Sequence, residues 1–257
     1  MRHAGFTLLE MSIVFVIIGL MIGGIVVGRD MIKAAEIRKE VSNLTSYQVA
    51  VQTFELKYNA VPGDFNQTGV IPGLADDHLG DGDGMLTVGD LAIGSNAWEH
   101  LSKAGLIQGD YDNAPNFLGG AADAECPANI SCPPTPFNAT SAHLMWGFYD
   151  ISGSNTNAYG SPLAATNANI AIAIFNGTGF ANWTGGGLTV DQAYALDVKL
   201  DDGVANAGRV MAIDANGGSS GCVDGNPADN PLDFTTYSYN YFFRDTADDC
   251  WLYYVLQ

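Results

Sequence analysis

From position 6 to 27 the chain reads FTLLEMSIVFVIIGLMIGGIVV, and Glu10 is the only charged residue among those 22. About 20 consecutive apolar residues are what an α-helix needs to cross a bilayer, so the segment predicts a chain that meets a membrane. A secretory signal would place a basic stretch first, a shorter apolar run next and a small-residue cleavage site last. Here the order is inverted. The basic leader Met1-Arg2-His3-Ala4-Gly5 is five residues long, and its small residue Gly5 stands before the apolar run. A cut at that point would leave the hydrophobic helix on the mature chain.

Beyond Val27 charge alternates with apolar residues at helical spacing: Ile32, Ile37, Val41, Leu44, Tyr47 or Gln48, Val51, Phe54 and Tyr58 fall near one stripe. The helix is therefore expected to leave the membrane without a break. Over residues 6–58 it would be about 80 Å long at about 1.5 Å per residue, and Val61-Pro62-Gly63 would stop it. Gly19, Gly23, Gly24 and Gly28 lower helix propensity locally, and both pairs four apart have the GxxxG spacing of close helix packing.

Charge is segregated along the chain. Residues 1–59 hold six bases and five acids, whereas residues 60–257 hold four bases (Lys103, Lys199, Arg209, Arg244) and 23 of the 28 acids, a balance of −19. A body this acidic repels phosphate backbones, so its surface is not expected to bind nucleic acid. Only Glu99 and Glu125 among those acids are glutamates; aspartate with glycine and asparagine favours loops and strands over long helices.

Gly5-Phe6-Thr7-Leu8-Leu9-Glu10 followed by an apolar helix resembles the cleavage and methylation signature of type IV pilins and pseudopilins. The resemblance implies a prepilin peptidase that cuts between Gly5 and Phe6 and methylates the new amine of Phe6. It implies a precursor in the bacterial inner membrane and a later extracellular or periplasmic filament, a helical homo-oligomer shared with other pilins. A carboxylate inside a bilayer costs on the order of 3 kcal/mol on insertion scales and normally finds a partner. For Glu10 the family suggests the amino terminus of a neighbouring subunit, which would set axial register during assembly; a hydrated position near the headgroups is the plainer alternative. The expected fold is α+β: a leader (1–5), a long amino-terminal helix (6–58, with 6–27 in the membrane or filament core) and a globular head (59–257) of antiparallel strands with a long elaborated connection.

Residues 59–167 show little regular patterning apart from an amphipathic helix at 98–107 closed by Gly105. Further on, 169–175 reads as a strand, Thr189-Val190-Asp191-Gln192 as a capping box opening a helix to about Leu200, and 208–213, 237–243 and 251–256 as strands. Segments YNAVPGDF, WEHLSKAGLI and ALDVKLDDG are similar to those of large pseudopilin-like proteins. Cysteines 126, 132, 222 and 250 form an even set outside the cytoplasm, where disulfides are expected and three connectivities exist. The favoured set joins Cys126 to Cys132 in a local loop and Cys222 to Cys250 around the last hairpin, as the carboxy-terminal disulfide loop of pilins implies.

The run from Leu79 to Asp90 resembles a calcium loop with Gly84 at the obligatory glycine. Asp81, Asp83, the Met85 carbonyl, Thr87 and Asp90 would then be ligands of a structural calcium ion. Leu79 occupies the first ligand position, leaving Asp76 or Asp77 to substitute, and a solvated acidic turn is the alternative. No other cofactor is expected. Gly217-Gly218-Ser219-Ser220-Gly221 matches GxSxG, but the last histidine, His143, precedes it, and HExxH, P-loop and dinucleotide signatures are absent, so an enzyme is not expected. The expected function is structural, as a pilus-like filament subunit. The alternatives are a minor or tip pilin, a secretion pseudopilin, or a membrane-anchored binding module using Trp146, Tyr149, Trp183 and Tyr237.

Overall fold

The computed structural model describes residues 7–82, 93–112, 133–137, 144–150, 170–176, 187–205, 207–214, 221–224, 238–239 and 250–256. The fold is α+β. It begins with helix α1, Leu8–Tyr58, and the chain divides within that helix into two units, Met1–Lys39 and Glu40–Gln257.

The helix ends as an αL cap. Asn59 has φ 52° and its N–H donates to the Glu55 carbonyl at 2.8 Å. Asparagine tolerates this left-handed conformation better than most residues, so it closes the helix two residues before the Val61-Pro62-Gly63 breaker. In the second unit α1 buries Leu44, Val51 and Phe54, three positions of the expected stripe; Ile37 is also buried, whereas Ile32 is 59% exposed.

The body is built on a four-stranded antiparallel sheet. Its strands are β1 (Leu144–Asp150), β2 (Ile170–Asn176), β3 (Val210–Asp214) and β6 (Cys250–Leu256), in the order β1-β2-β6-β3. Strands β4 (Val223–Asp224) and β5 (Ser238–Tyr239) pair separately. The register sets Ile172 opposite Tyr254 and Ile174 opposite Leu252, all buried, and Tyr254 donates its hydroxyl to Gln48 Oε1 on α1 at 2.7 Å. Helix α3 (Val190–Leu200) packs on β3 and β6, and helix α2 (Ile93–Lys103) lies against β1.

Local expectations fared unevenly. Both halves of the Thr189–Gln192 capping box form: Gln192 N–H donates to Thr189 Oγ1 at 3.2 Å, and Thr189 N–H to Gln192 Oε1 at 2.9 Å. The helix expected over 98–107 instead begins at Ile93 and ends at Lys103, because Gly105 at φ 73° turns the chain. Strand β1 falls inside the stretch that looked unpatterned. Of the strand expected over 237–243, Ser238 and Tyr239 are paired and the remainder lies outside the described residues.

Candidate functional site

The first site is the start of α1. Thr7 precedes the helix, and its N–H and Oγ1 each donate to Glu10 Oε2 at 2.8 Å, while the Glu10 N–H donates to Thr7 Oγ1 at 3.3 Å. These reciprocal bonds are a capping box. They satisfy amides that the helix cannot and supply partners for a carboxylate that would otherwise be costly in lipid. The signal is legible in the sequence as Thr-x-x-Glu before an apolar run, a capping-box pattern like Thr189-x-x-Gln192. Glu10 is therefore bound within its own chain. Its two oxygens offer about four lone-pair sites, so the box leaves acceptor capacity for a cation.

Downstream of the cap every residue from Leu8 to Val27 is exposed, including Phe15 at 69% and Leu20 at 73%. A Cβ built on Gly19, Gly23, Gly24 or Gly28 meets nothing within 4 Å beyond the helix's own neighbouring backbone. An apolar surface this large needs a cover of lipid or protein, and α1 is long and apolar enough to cross a membrane. Gly5 and Phe6, the expected cleavage pair, lie outside the described residues.

A self-capped apolar helix carrying one acid near its start, ahead of an acidic α+β body, defines a membrane-anchorable subunit. Residues 1–26 match the prokaryotic N-terminal methylation motif, the hallmark of type IV pilins and pseudopilins. Over those 26 residues, and in the long apolar helix that they open, the chain is similar to type IV pilins, a class that in general is processed by a prepilin peptidase and assembles with other pilins. No curated protein and no solved structure matches the chain.

The second site joins the connection after α1 to α2. His100 is fully buried; its Nδ1 accepts from the Gly63 N–H at 2.9 Å, so Nε2 carries the proton and donates to the His78 carbonyl, also at 2.9 Å. Its ring lies nearly parallel to Phe54 of α1, with an interplanar angle of 12° and centroids 6.0 Å apart, and edge-on to Phe65. Burial pushes the His100 imidazole down to about 4, against the raising effect of its bond to the His78 carbonyl and with the His78 charge lowering it further. Next to it, His78 Nδ1 stands 2.7 Å from Glu99 Oε2 without the alignment of a hydrogen bond, a contact that becomes an ion pair when the imidazole is protonated.

This clasp fixes the approach to the acidic run. Gly80 N–H donates to the Phe65 carbonyl at 2.9 Å, Gly82 N–H to Asp64 Oδ1 at 2.7 Å, and Asn66 Nδ2 to the Asp81 carbonyl at 3.2 Å. A Cβ at Gly80 would collide with the Asp64 backbone, which is why glycine stands there. Asp76, Asp77 and Asp81 are exposed; Asp83, Met85, Thr87 and Asp90 lie outside the described residues.

Of the cysteines, Cys222 and Cys250 are joined by a buried disulfide, as expected; Cys126 and Cys132 lie outside the described residues. Among the described residues one acidic group has metal-ligand spacing, Asp197, Asp201 and Asp202, with carboxylate oxygens within 4.8 Å of one another. Each already accepts a backbone N–H: Gly203 on Asp197 Oδ1, Arg209 and Val210 on Asp201 Oδ2, and Val204 on Asp202 Oδ1. Those donors close the end of α3 and account for the cluster without an ion.

Proposed function

We propose that this protein is a structural subunit of a type IV pilus-like filament, held in the inner membrane as a prepilin, cut after Gly5 and polymerised through α1 into an extracellular or periplasmic fibre. The observation that carries this reading is the methylation motif on a helix whose first 20 residues are exposed and apolar. Glu10 keeps acceptor capacity for the amine of a neighbouring subunit, and its own cap holds it at the helix start where such an amine would arrive. The head supplies the outer surface. Trp146 and Tyr149 of the alternative binding surface lie in β1, while Trp183 and Tyr237 are outside the described residues. The size of the head favours an elaborated pilin or a tip subunit over a small pseudopilin.

Mass spectrometry of mature protein should find Phe6 at the amino terminus, methylated and without the leader. Met1 persisting on assembled protein would remove the main support. A bulky residue at Gly5 should block cutting and trap the precursor in the membrane. Glu10→Ala should leave cutting intact and reduce the sedimentable filament fraction; normal filaments would end the register role.

For residues 81–90 we propose a structural calcium site, approached by the clamped backbone at 80–82. Chelation should then lower the melting temperature of the protein by mass action on the native state. Equal melting with and without calcium would leave the acidic-turn alternative.

A further inference from the structure

The connection after α1 forms a strap, residues 63–82, tied near both ends to one side chain. His100 Nδ1 accepts from the Gly63 N–H and Nε2 donates to the His78 carbonyl, each at 2.9 Å, so a single neutral imidazole of α2 bridges the two ends. The neck is completed by the Gly80 N–H on the Phe65 carbonyl and by Asp64 Oδ1, which accepts from the Gly82 N–H. Aromatic rings of α1 lie against it: Phe65 stands edge-on to Phe54 at 5.9 Å and to Tyr58 at 5.4 Å between centroids.

The rest of the strap is lightly held. Of the described residues 66–82 only Ile71 is buried, and the bonds from the Leu74 N–H to the Ile71 carbonyl and from the His78 N–H to the Ala75 carbonyl are local turns. Segments with few buried apolar contacts open at a fraction of the global unfolding free energy. The sheet is fastened differently, by the pairing of β2 with β6 and by the buried Cys222–Cys250 bridge. What holds His100, namely Gly63, His78, Phe54 and Phe65, belongs to the strap and to α1. Lifting the strap therefore hydrates the imidazole without moving the sheet.

We propose that residues 63–82 are an acid-released strap: protonation of His100 breaks its bond from Gly63 and frees the loop from α1 and α2 while the sheet stays folded. The inference is independent of the filament reading, since it concerns a single subunit. Nδ1 accepts only while it lacks a proton, so the protonated ring turns a second donor on the Gly63 N–H. Of the charged groups around the ring, His78 on the connection opposes its protonation, Glu99 on α2 is turned to His78 at 2.7 Å, and Asp64 in the neck accepts from Gly82. Helix α1 presents the uncharged Phe54 ring. Burial holds the imidazole of the closed strap down to about 4, whereas a hydrated one titrates near 6.5. Protons thus bind the open strap first, and its opening constant rises about twentyfold from pH 7 to pH 5.

Amide hydrogen exchange of full-length protein in detergent tests this, read peptide by peptide at pH 7 and pH 5 over a series of low denaturant concentrations. After correction for intrinsic rates, exchange within 63–82 should quicken about twentyfold at pH 5 and stay flat across the denaturant series, because a small opening exposes little surface. Peptides of β2 and β6 should exchange more slowly and steepen with denaturant, as global unfolding requires. His100→Gln keeps an acceptor and a donor but does not titrate, so its strap should exchange equally at both pH values. A strap that exchanges only with the denaturant slope of the sheet opens by global unfolding alone and overturns the proposal. So does a parent strap indifferent to pH, or an H100Q strap that quickens as the parent does. Should H100Q fail to fold, the denaturant series on the parent at the two pH values decides the matter without it.

Discussion

Replacing Cys222 and Cys250 together by alanine should destabilise the head by about 3–4 kcal/mol, the loop-closure effect expected for a bridge of this span. The two cysteines are 28 residues apart and fully buried. The bridge ties the start of β6 to the segment entering β4, and the same residue is bonded on both sides of its backbone: Cys250 N–H donates to the Leu188 carbonyl at 3.0 Å, and Leu188 N–H to the Cys250 carbonyl at 3.2 Å. Loss of the bridge therefore loosens the junction where the approach to α3 meets the central strand. In a chain of this size the midpoint of thermal unfolding should fall by about 10 °C. The measurement is the unfolding midpoint of full-length protein in detergent, oxidised parent against C222A/C250A. An unchanged midpoint would mean that packing around Leu252 and Val210 already restrains this region in the unfolded ensemble or the native state.

What could be read in the sequence depended on whether the cause was local. The capping box at Thr189, the ending of α1 near Tyr58 and the strand at β2 each follow from residues within a few positions, and the structure contains them. Strand β1 is not legible in the sequence because LMWGFYD is a near-continuous apolar run without the alternation that marks a half-buried strand. Its identity comes from pairing with β2, whose register begins Leu144 opposite Asn176, and pairing is invisible to a scan of single segments. Glu10 has a local cause as well. Thr7, three residues away, closes a box with it, and the neighbour's amine that the family suggests would be a further contact to the same carboxylate. The role of His100 could not be read at all, since Gly63 and His78 meet it only after the connection folds back onto α2.

The head should lose about 3 kcal/mol of stability as the pH falls from about 6.5 to about 4, through His100 alone. In the unfolded chain this imidazole takes up a proton near pH 6.5; in the folded protein burial delays that step until about 4. Above the unfolded value both states are neutral and the contribution is complete. Between the two values the unfolded state binds more protons, so stability declines, and below about 4 nothing of the contribution remains. Protonation would also replace the Nδ1 lone pair that accepts from Gly63 N–H with a second donor, opening the clasp between α2 and the connection. His100→Gln keeps one acceptor and one donor but does not titrate. The difference between parent and H100Q in denaturant unfolding, followed from pH 7 to pH 4, isolates the effect. The His78–Glu99 contact is present in both proteins, and the difference includes the effect that the His78 charge has on His100. Parallel pH profiles would show that His100 is not held neutral, and the buried clasp would then have to accommodate a charge. If the profiles diverge as expected, the segment leading to Asp81 is released in the same window, because Gly63 and His78 flank the turn whose backbone Asp64, Phe65 and Asn66 hold at 80–82.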